Sequence, residues 1–257
     1  MMRVLEATFP IPYAGLGPDG RVKFPVLLDL FQNMADMDAR SMDMSVSNLL
    51  PRGVSWVLRR YRIRVGRYPG EGAPLHVRTW HEPHKNLYSM RAFEMRDDDG
   101  PVASALSCWI LIDIARGRPI RLDRCATDLY NSTARPVEED LPDMPAFEGE
   151  DFEVPFRIRA WDLDMNGHVN NAVYFAWAAE AVPDDVQRDG SISCVEAEFL
   201  KPTEGRGLVR VRTQGMEADG TCRRYLHSIV GTDDVERARL ITAWTPARDV
   251  AALSFHS

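Results

Sequence analysis

The sequence contains the apolar segment Asn171-Ala172-Val173-Tyr174-Phe175-Ala176-Trp177-Ala178-Ala179-Glu180-Ala181-Val182. As a helix, this segment carries apolar side chains on nearly all sides, and such a helix must be largely buried. Pro183 and the two aspartates after it end the pattern. We therefore predict a helix over residues 171–182 that other elements enclose.

Strand-like segments follow this helix in a regular order. Apolar and other residues alternate over 195–199, and further segments cover 208–213, 223–230 and 238–244, with a turn at Thr232-Asp233-Asp234. Alternation with a period of two is typical of a sheet that buries one face. The second half of the chain is thus predicted to be one helix followed by antiparallel strands.

The first half repeats this plan, although few residues are identical. Pro25 suits the first turn of a helix, and apolar residues keep helical spacing to about residue 42. Strand signals then fill residues 53–113, with a hairpin turn at Asp99-Gly100. The parity of the alternation changes near Arg59, which predicts a bulge there.

One buried helix and several antiparallel strands, twice over, predict an α+β protein with a double hotdog fold, in which each sheet wraps its helix. We expect an N-terminal lobe over residues 1–130 and a C-terminal lobe over residues 152–257. The segment 131–151 is rich in proline and acidic residues, which is typical of a linker.

Composition excludes several classes of protein. The net charge of −7 argues against general nucleic-acid binding. No apolar run approaches the roughly 20 residues that span a membrane, and the first residues lack the apolar stretch of a signal peptide. We therefore expect a cytoplasmic protein that needs no membrane.

Metal and cofactor signals are weak. The four cysteines form no Cys-x-x-Cys pair and are expected to be reduced thiols. The run His81-Glu82-Pro83-His84 is predicted to be a loop at a strand end, since no further ligands complete a metal site. The sequence has neither a glycine-rich phosphate loop nor a Gly-x-Ser-x-Gly elbow, so no cofactor is implied.

Polar and ionisable side chains that could take part in catalysis are concentrated directly before the second helix. The segment is Asp162-Leu163-Asp164-Met165-Asn166-Gly167-His168-Val169-Asn170-Asn171. The asparagine pair suits an N-cap. Alternation in an extended stretch would place Asp164, Asn166 and His168 on one face, where a carboxylate can attack or activate water and a histidine can orient it or handle a proton.

The start of the helix offers a second element of the same chemistry. Free N–H groups and partial positive charge at a helix N-terminus stabilise a developing oxyanion. The candidate donors are the amides of Gly167, Val169, Asn170 and Asn171. Together with a carboxylate and a histidine, they suit hydrolysis of an activated acyl group.

The segment 162–171 resembles the signature of the acyl-ACP thioesterases of plants and bacteria. Residues 53–58, 67–72 and 107–113 are also similar to bacterial members. The resemblance covers nearly the whole chain and implies a double hotdog fold with Asp164, Asn166 and His168 at the catalytic positions. It further implies release of a free fatty acid from acyl carrier protein in fatty acid biosynthesis, without a cofactor.

The sequence departs from the plant members at one place. They carry a Glu-Cys pair in the strand after the second helix, where this chain has Pro202 and Thr203. A cysteine nucleophile therefore finds no support. A second carboxylate, if one takes part, is Glu198 or Glu204, and the sequence does not choose between them.

The first lobe has a different predicted role. If Val22 matches Val169, then Gly17, Asp19 and Arg21 replace the catalytic trio. By resemblance, this lobe would hold the acyl chain instead. The candidate pocket residues on its helix are Leu27, Phe31, Met34 and Met37.

Partners and rival functions complete the prediction. An acidic carrier protein needs a basic docking face, for which the arginines at positions 59, 60, 62, 64 and 67 and at 206, 210 and 212 are candidates. The rivals are an acyl-CoA thioesterase on the same fold and a non-catalytic acyl-binding protein. Both a monomer and a homodimer are open.

Overall fold

The computed structural model describes residues 4–125 and 141–247. The chain divides into two compact units, one made of Met1–Tyr61 and Tyr68–Leu141 and the other of Arg62–Arg67 and Pro142–Ser257. Most of the predicted linker lies outside the described residues, so the lobe boundaries at residues 130 and 152 stay a prediction.

The first lobe is an antiparallel sheet with one long helix. Its strands lie in the order β1-β3-β4-β5-β2, and β6 pairs with β5. The strands are β1 (Leu5–Phe9), β2 (Val54–Val65), β3 (Leu75–His84), β4 (Tyr88–Asp97), β5 (Gly100–Asp113) and β6 (Arg118–Ile120). The helices are α1 (Phe24–Arg40), α2 (Val46–Leu49) and α3 (Leu122–Cys125).

The long helix α1 confirms the predicted helix and fills the lobe. Pro25 lies in its first turn, where a missing N–H costs nothing. Its residues Leu27, Phe31 and Met34 are fully buried, and the ring of Phe31 lies 5.1 Å from that of Phe93 on β4. The sheet therefore packs on one apolar face of the helix.

The predicted hairpin and change of parity in the first lobe are confirmed, and the bulge near Arg59 stays a prediction. The predicted loop at residues 81–84 is wrong, because these residues form the end of β3 and pair with β4. The hairpin between β4 and β5 turns at Asp98 and Asp99, and Gly100 has the positive φ that this turn requires. Along β2, burial shifts from Val54 and Leu58 to the opposite parity, with Tyr61 the first buried residue of the second set. This shift occurs at the position where the alternation of the sequence changes.

The second lobe repeats the arrangement. Its strands lie in the order β8-β11-β10-β9-β7, with every neighbouring pair antiparallel. The strands are β7 (Phe152–Arg157), β8 (Gly190–Phe199), β9 (Leu208–Gly215), β10 (Arg223–Gly231) and β11 (Glu236–Pro246). The helices are α4 (Asn171–Glu180) and α5 (Asp184–Asp189).

The helix α4 forms the core of the second lobe. Tyr174, Phe175, Trp177 and Ala178 are buried, and the ring of Tyr174 meets that of Phe199 on β8 edge-on at 5.5 Å. The helix ends two residues before the predicted end. No helix in the described residues combines the length and apolarity that a membrane crossing needs.

Candidate functional site

The segment before α4 is a tight turn and not the extended stretch that the sequence suggested. Leu163 and Val169 pair as a β-bridge, and the Asp164 amide donates to the His168 carbonyl at 2.7 Å. The Gly167 amide donates to the Asp164 carbonyl at 3.0 Å, and Gly167 has φ of 74°. The predicted extended backbone is therefore wrong; closure of the turn brings these residues together.

The carboxylate of Asp164 is held by this turn. Its Oδ1 accepts the amides of Asn166 at 2.8 Å and His168 at 3.2 Å. Its Oδ2 lies 3.4 Å from Asn166 Nδ2. Because two backbone donors fix one oxygen, the carboxylate keeps one orientation, and Oδ2 is the oxygen with capacity to meet a substrate or a water.

Most candidate oxyanion donors already have acceptors. The amide of Gly167 donates inside the turn, that of Val169 donates to the Thr203 carbonyl, and that of Asn170 donates to the Asp162 carbonyl. The Asn170 side chain caps α4 by accepting the Ala172 amide at 2.9 Å, as predicted for this pair.

One amide of the helix N-terminus differs from these. Among the residues that the structure describes, the Asn171 N–H has no acceptor. It is the first helical residue, so it also lies where the partial positive charge of α4 is concentrated. Of the four predicted amide donors, Asn171 is therefore the one available to an oxyanion.

The structure separates the two candidate second carboxylates. Glu204 forms a β-bridge with His168, and its Oε1 lies 3.6 Å from His168 Nε2. Glu198 lies on β8 opposite Arg239 in the strand register. Glu204 therefore belongs to the surroundings of the turn, with its side chain 74% exposed and that of His168 40% exposed.

Sequence reasoning missed Tyr174 as a neighbour of this turn. Its hydroxyl donates to Thr203 Oγ1 at 2.8 Å, and the Thr203 carbonyl accepts the Val169 amide at 2.9 Å. Burial raises the pKa of Tyr174, and the negative charge of Asp164 raises it further, against the Thr203 hydrogen bond. The available signal was a tyrosine in an apolar helix, because a buried phenol needs a hydrogen-bond partner.

The first lobe contains the same turn without the trio. Leu16 bridges to Val22, the Gly17 amide donates to the Arg21 carbonyl at 2.7 Å, and Gly20 has φ of 73°. Asp19 Oδ1 accepts the Arg21 amide at 3.1 Å. Gly17, Asp19 and Arg21 thus hold the backbone positions that Asp164, Asn166 and His168 hold in the second lobe.

The residues proposed to line an acyl pocket are not equivalent. Leu27, Phe31 and Met34 are fully buried on α1, whereas Met37 is 43% exposed. The first three face the lobe interior. Met37 lies on the outer part of the same helix.

The two arginine groups also differ in their surroundings. Arg210 and Arg212 lie within ion-pair distance of Glu153 and Asp234. In the other group, Arg62 is buried. The exposed arginine of the second group is Arg206.

Two of the four cysteines are poorly suited to nucleophilic attack. Burial raises the pKa of Cys194 to about 12, and burial also raises the pKa of Cys108. A thiol with a raised pKa is a poor nucleophile. Within residues 4–125 and 141–247, no group of three or more His, Cys, Asp or Glu side chains is placed to hold a metal ion.

Comparison with known families gives two matches along the chain. Residues 3–130 match the model of the acyl-ACP thioesterase N-terminal domain, and residues 147–246 match that of the acyl-ACP thioesterase C-terminal domain.

Individual relatives agree with these matches. The chain is 26% identical to the chloroplastic dodecanoyl-[acyl-carrier-protein] hydrolase of Umbellularia californica, over 95% of this chain and 68% of the relative. It is 24% identical to the protein of the same name from Cinnamomum camphora, with the same coverage.

Solved structures confirm the double hotdog fold. The 12:0-ACP thioesterase of Umbellularia californica superposes with a TM-score of 0.83 at 23% identity, over 95% of this chain and 94% of that one. An acyl-ACP thioesterase from Bacteroides thetaiotaomicron gives 0.78 at 19% identity, over 94% and 97%.

Proposed function

This chain belongs to the acyl-ACP thioesterase family, and we propose that it hydrolyses a fatty acyl thioester of acyl carrier protein at the turn formed by Asp164 to His168. The products are a free fatty acid and the carrier thiol. The observation that carries the proposal is the Asp164 carboxylate, which two backbone amides hold beside the N-terminus of α4.

Asp164 is the proposed nucleophile or general base. Its Oδ2 attacks the thioester carbonyl or removes a proton from the water that attacks it. In both cases the C–S bond breaks, water supplies the hydroxyl of the fatty acid, and the sulfur leaves as a thiol. The side-chain amide of Asn166, 3.4 Å from Oδ2, orients the carboxylate.

The proposed oxyanion donor is the Asn171 amide. A thioester carbonyl gains negative charge on oxygen when it is attacked, and a fixed N–H stabilises that charge more than it stabilises the ground state. One such donor contributes about 3–4 kcal/mol of transition-state stabilisation. The dipole of α4 acts in the same direction.

His168 and Glu204 form the proposed proton-handling pair. Their side chains lie 3.6 Å apart and are partly exposed, so a departing thiolate or an entering water can reach them. An imidazole can give a proton to the leaving sulfur, and the Glu204 carboxylate beside it orients the ring. Glu204 therefore acts through His168.

The acyl chain is proposed to occupy the first lobe. Leu27, Phe31 and Met34 are the candidates to line it, because they are apolar and face inward. The carrier is proposed to dock on exposed arginines. A cytoplasmic location stays a prediction.

The test is thiol release from matched acyl-ACP and acyl-CoA substrates, with wild type and Asp164→Ala in parallel. Fast release from acyl-ACP that needs Asp164 supports the proposal. Release from acyl-CoA alone would support thioester hydrolysis at this turn with coenzyme A, instead of acyl carrier protein, as the acyl carrier. Bound acyl ligand without any release supports the non-catalytic binding protein.

A further inference from the structure

Exposed apolar side chains lie next to the catalytic turn. Trp161 is 94% exposed and Met165, between Asp164 and Asn166, is 68% exposed. Leu208, at the start of β9, is 52% exposed. An exposed indole lacks the stabilising free energy that burial of its apolar surface would contribute. A cluster of such exposed residues therefore marks an interaction surface more often than a single one does.

These residues lie on three adjoining segments of the second lobe. The Ile158 amide donates to the Gly207 carbonyl at 2.9 Å, and the Gly205 amide lies 3.3 Å from the Gly167 carbonyl. Arg157 on β7 lies directly opposite Leu208 on β9. Side chains directly opposite each other on antiparallel strands lie on the same side of the sheet. The segments 157–161, 164–168 and 204–208 therefore form one continuous surface.

Three arginines lie on this surface. Arg157 and Arg206 are exposed, and neither has an acidic partner among the described residues. Arg159 is paired with the buried Asp162, yet its side chain remains 71% exposed. The same segments carry two acids: Glu204 faces His168, and the Asp164 carboxylate is held in the turn by the amides of Asn166 and His168.

This arrangement is unusual for a chain with a net charge of −7. The neighbouring arginines of β9 are neutralised, since Arg210 and Arg212 are paired with Glu153 and Asp234. Arg157 and Arg206, which lie beside the turn, are not neutralised in this way. An unneutralised cation steers an acidic partner and adds to its association rate.

We propose that the surface formed by Arg157, Arg159, Trp161, Met165 and Arg206, called here the turn face, docks the acidic surface of acyl carrier protein. The inference rests on the proposed function and adds the residues that receive the partner. Trp161 and Met165 supply the apolar contact at the centre, and the arginines supply charge complementarity around it. Tryptophan and arginine dominate the binding energy of many protein interfaces.

The position of the turn face suits delivery of the substrate. Met165 is the direct neighbour of Asp164 and Asn166, so a carrier seated on it brings its thioester arm to the mouth of the turn. The arginines of residues 59–67 are not needed for this placement. The sequence predicted a docking surface made of two arginine groups. The turn face keeps only Arg206 from those groups and adds residues between 157 and 165.

The experiment compares two substrates that share an acyl group. One is acyl-ACP, and the other is the acyl thioester of N-acetylcysteamine, which has no carrier. The variants are Arg157→Glu with Arg206→Glu, and Trp161→Ala. Arg188→Glu is the matched control, because Arg188 is an exposed arginine of the same lobe on α5, beyond the far end of α4.

The expected result is a fall of about tenfold or more in kcat/KM for acyl-ACP in both test variants, with the carrier-free thioester within about twofold of wild type. Raising the salt concentration should lower kcat/KM for acyl-ACP in wild type and much less in the double arginine variant. Arg188→Glu should match wild type on both substrates.

Each other outcome has a distinct meaning. Unchanged kcat/KM for acyl-ACP in both variants overturns the docking inference while leaving the proposed function intact. An equal fall in kcat/KM for both substrates also overturns it, because these residues would then act in hydrolysis itself or in folding, and not in binding the carrier. Absence of hydrolysis of either substrate by wild type overturns the proposed function itself.

Discussion

Gly17 and Asp164 occupy the same position in two copies of one turn. Each donates its amide to a carbonyl across the turn at 2.7 Å, from Gly17 to Arg21 and from Asp164 to His168. Each turn has a glycine of positive φ at the equivalent place and is followed by a long helix. The backbone of both lobes is thus equally suited to hold a carboxylate, and only the second lobe has one at this position.

The first prediction concerns this difference. Asp164→Ala should lower kcat by about 1,000-fold, because it removes the carboxylate that we propose to attack the thioester or to activate water. Acyl binding, measured by fluorescence of a bound fatty acid analogue, should be retained. Asp19→Asn is the matched control, since it removes a carboxylate from the first-lobe turn, and it should leave kcat within about twofold. Activity that survives in Asp164→Ala would remove Asp164 from the mechanism.

The second prediction separates Glu204 from Glu198. Glu204→Gln should reduce kcat by about 10- to 100-fold, because the carboxylate that faces His168 is lost. Glu198→Gln removes a carboxylate opposite Arg239 on β8 and should leave kcat unchanged. Equal kinetics in the two variants would show that neither carboxylate acts through His168.

Local patterns predicted the elements of the fold well. Pro25 and the N-cap Asn170 mark the starts of α1 and α4, since these signals act on the residues nearest to them. The change of parity near Arg59 was also readable, because burial on a strand follows from the order of residues alone.

The site needed contacts between distant segments. The turn contacts a distant loop, because the Val169 amide donates to the Thr203 carbonyl and His168 forms a β-bridge with Glu204 of that loop. Neither contact leaves a periodic pattern in the sequence. The same holds for Arg212, which the sequence suggested as a docking residue. Its charge is neutralised by Glu153, which lies on another strand.

A third prediction concerns a buried ion pair in the first lobe. Arg91 Nη1 donates to Asp38 Oδ2 at 2.8 Å, with the side chains 8% and 2% exposed. Asp38→Leu leaves the guanidinium buried without this partner and should lower the free energy of unfolding by about 3–5 kcal/mol. Adding Arg91→Met should recover a large part of that loss. Urea unfolding of the two variants measures both values, and a double variant no more stable than the single one would contradict the argument.

The last prediction concerns His227, which is buried in the core of the second lobe. Thr213 Oγ1 donates to the Ala181 carbonyl at 2.9 Å, so its oxygen accepts from His227 Nδ1 at 3.0 Å. The Nε2 atom then accepts from the Thr242 hydroxyl at 2.9 Å, and that oxygen accepts the Trp244 indole N–H. The chain of hydrogen bonds holds a neutral imidazole and ties the end of α4 to the sheet.

Burial lowers the pKa of His227 from 6.5 to about 3. In the unfolded chain the imidazole takes up a proton below pH 6.5, whereas the folded protein excludes it until about pH 3. The stabilising contribution is therefore fully present above pH 6.5 and is lost as the pH falls towards 3. Between pH 7 and pH 5, the free energy of unfolding should fall by about 2 kcal/mol from this group.

Urea unfolding at a series of pH values measures this slope. His227→Gln should flatten it, because glutamine does not titrate. Thr213→Val is the matched control: it removes one hydrogen bond of the chain but keeps the imidazole, so it should lower stability at every pH and retain the slope. A slope in His227→Gln as steep as that of wild type would mean that other groups cause the acid sensitivity. A flat slope in Thr213→Val would mean that the hydrogen bond, and not burial of the ring, sets the proton affinity of His227.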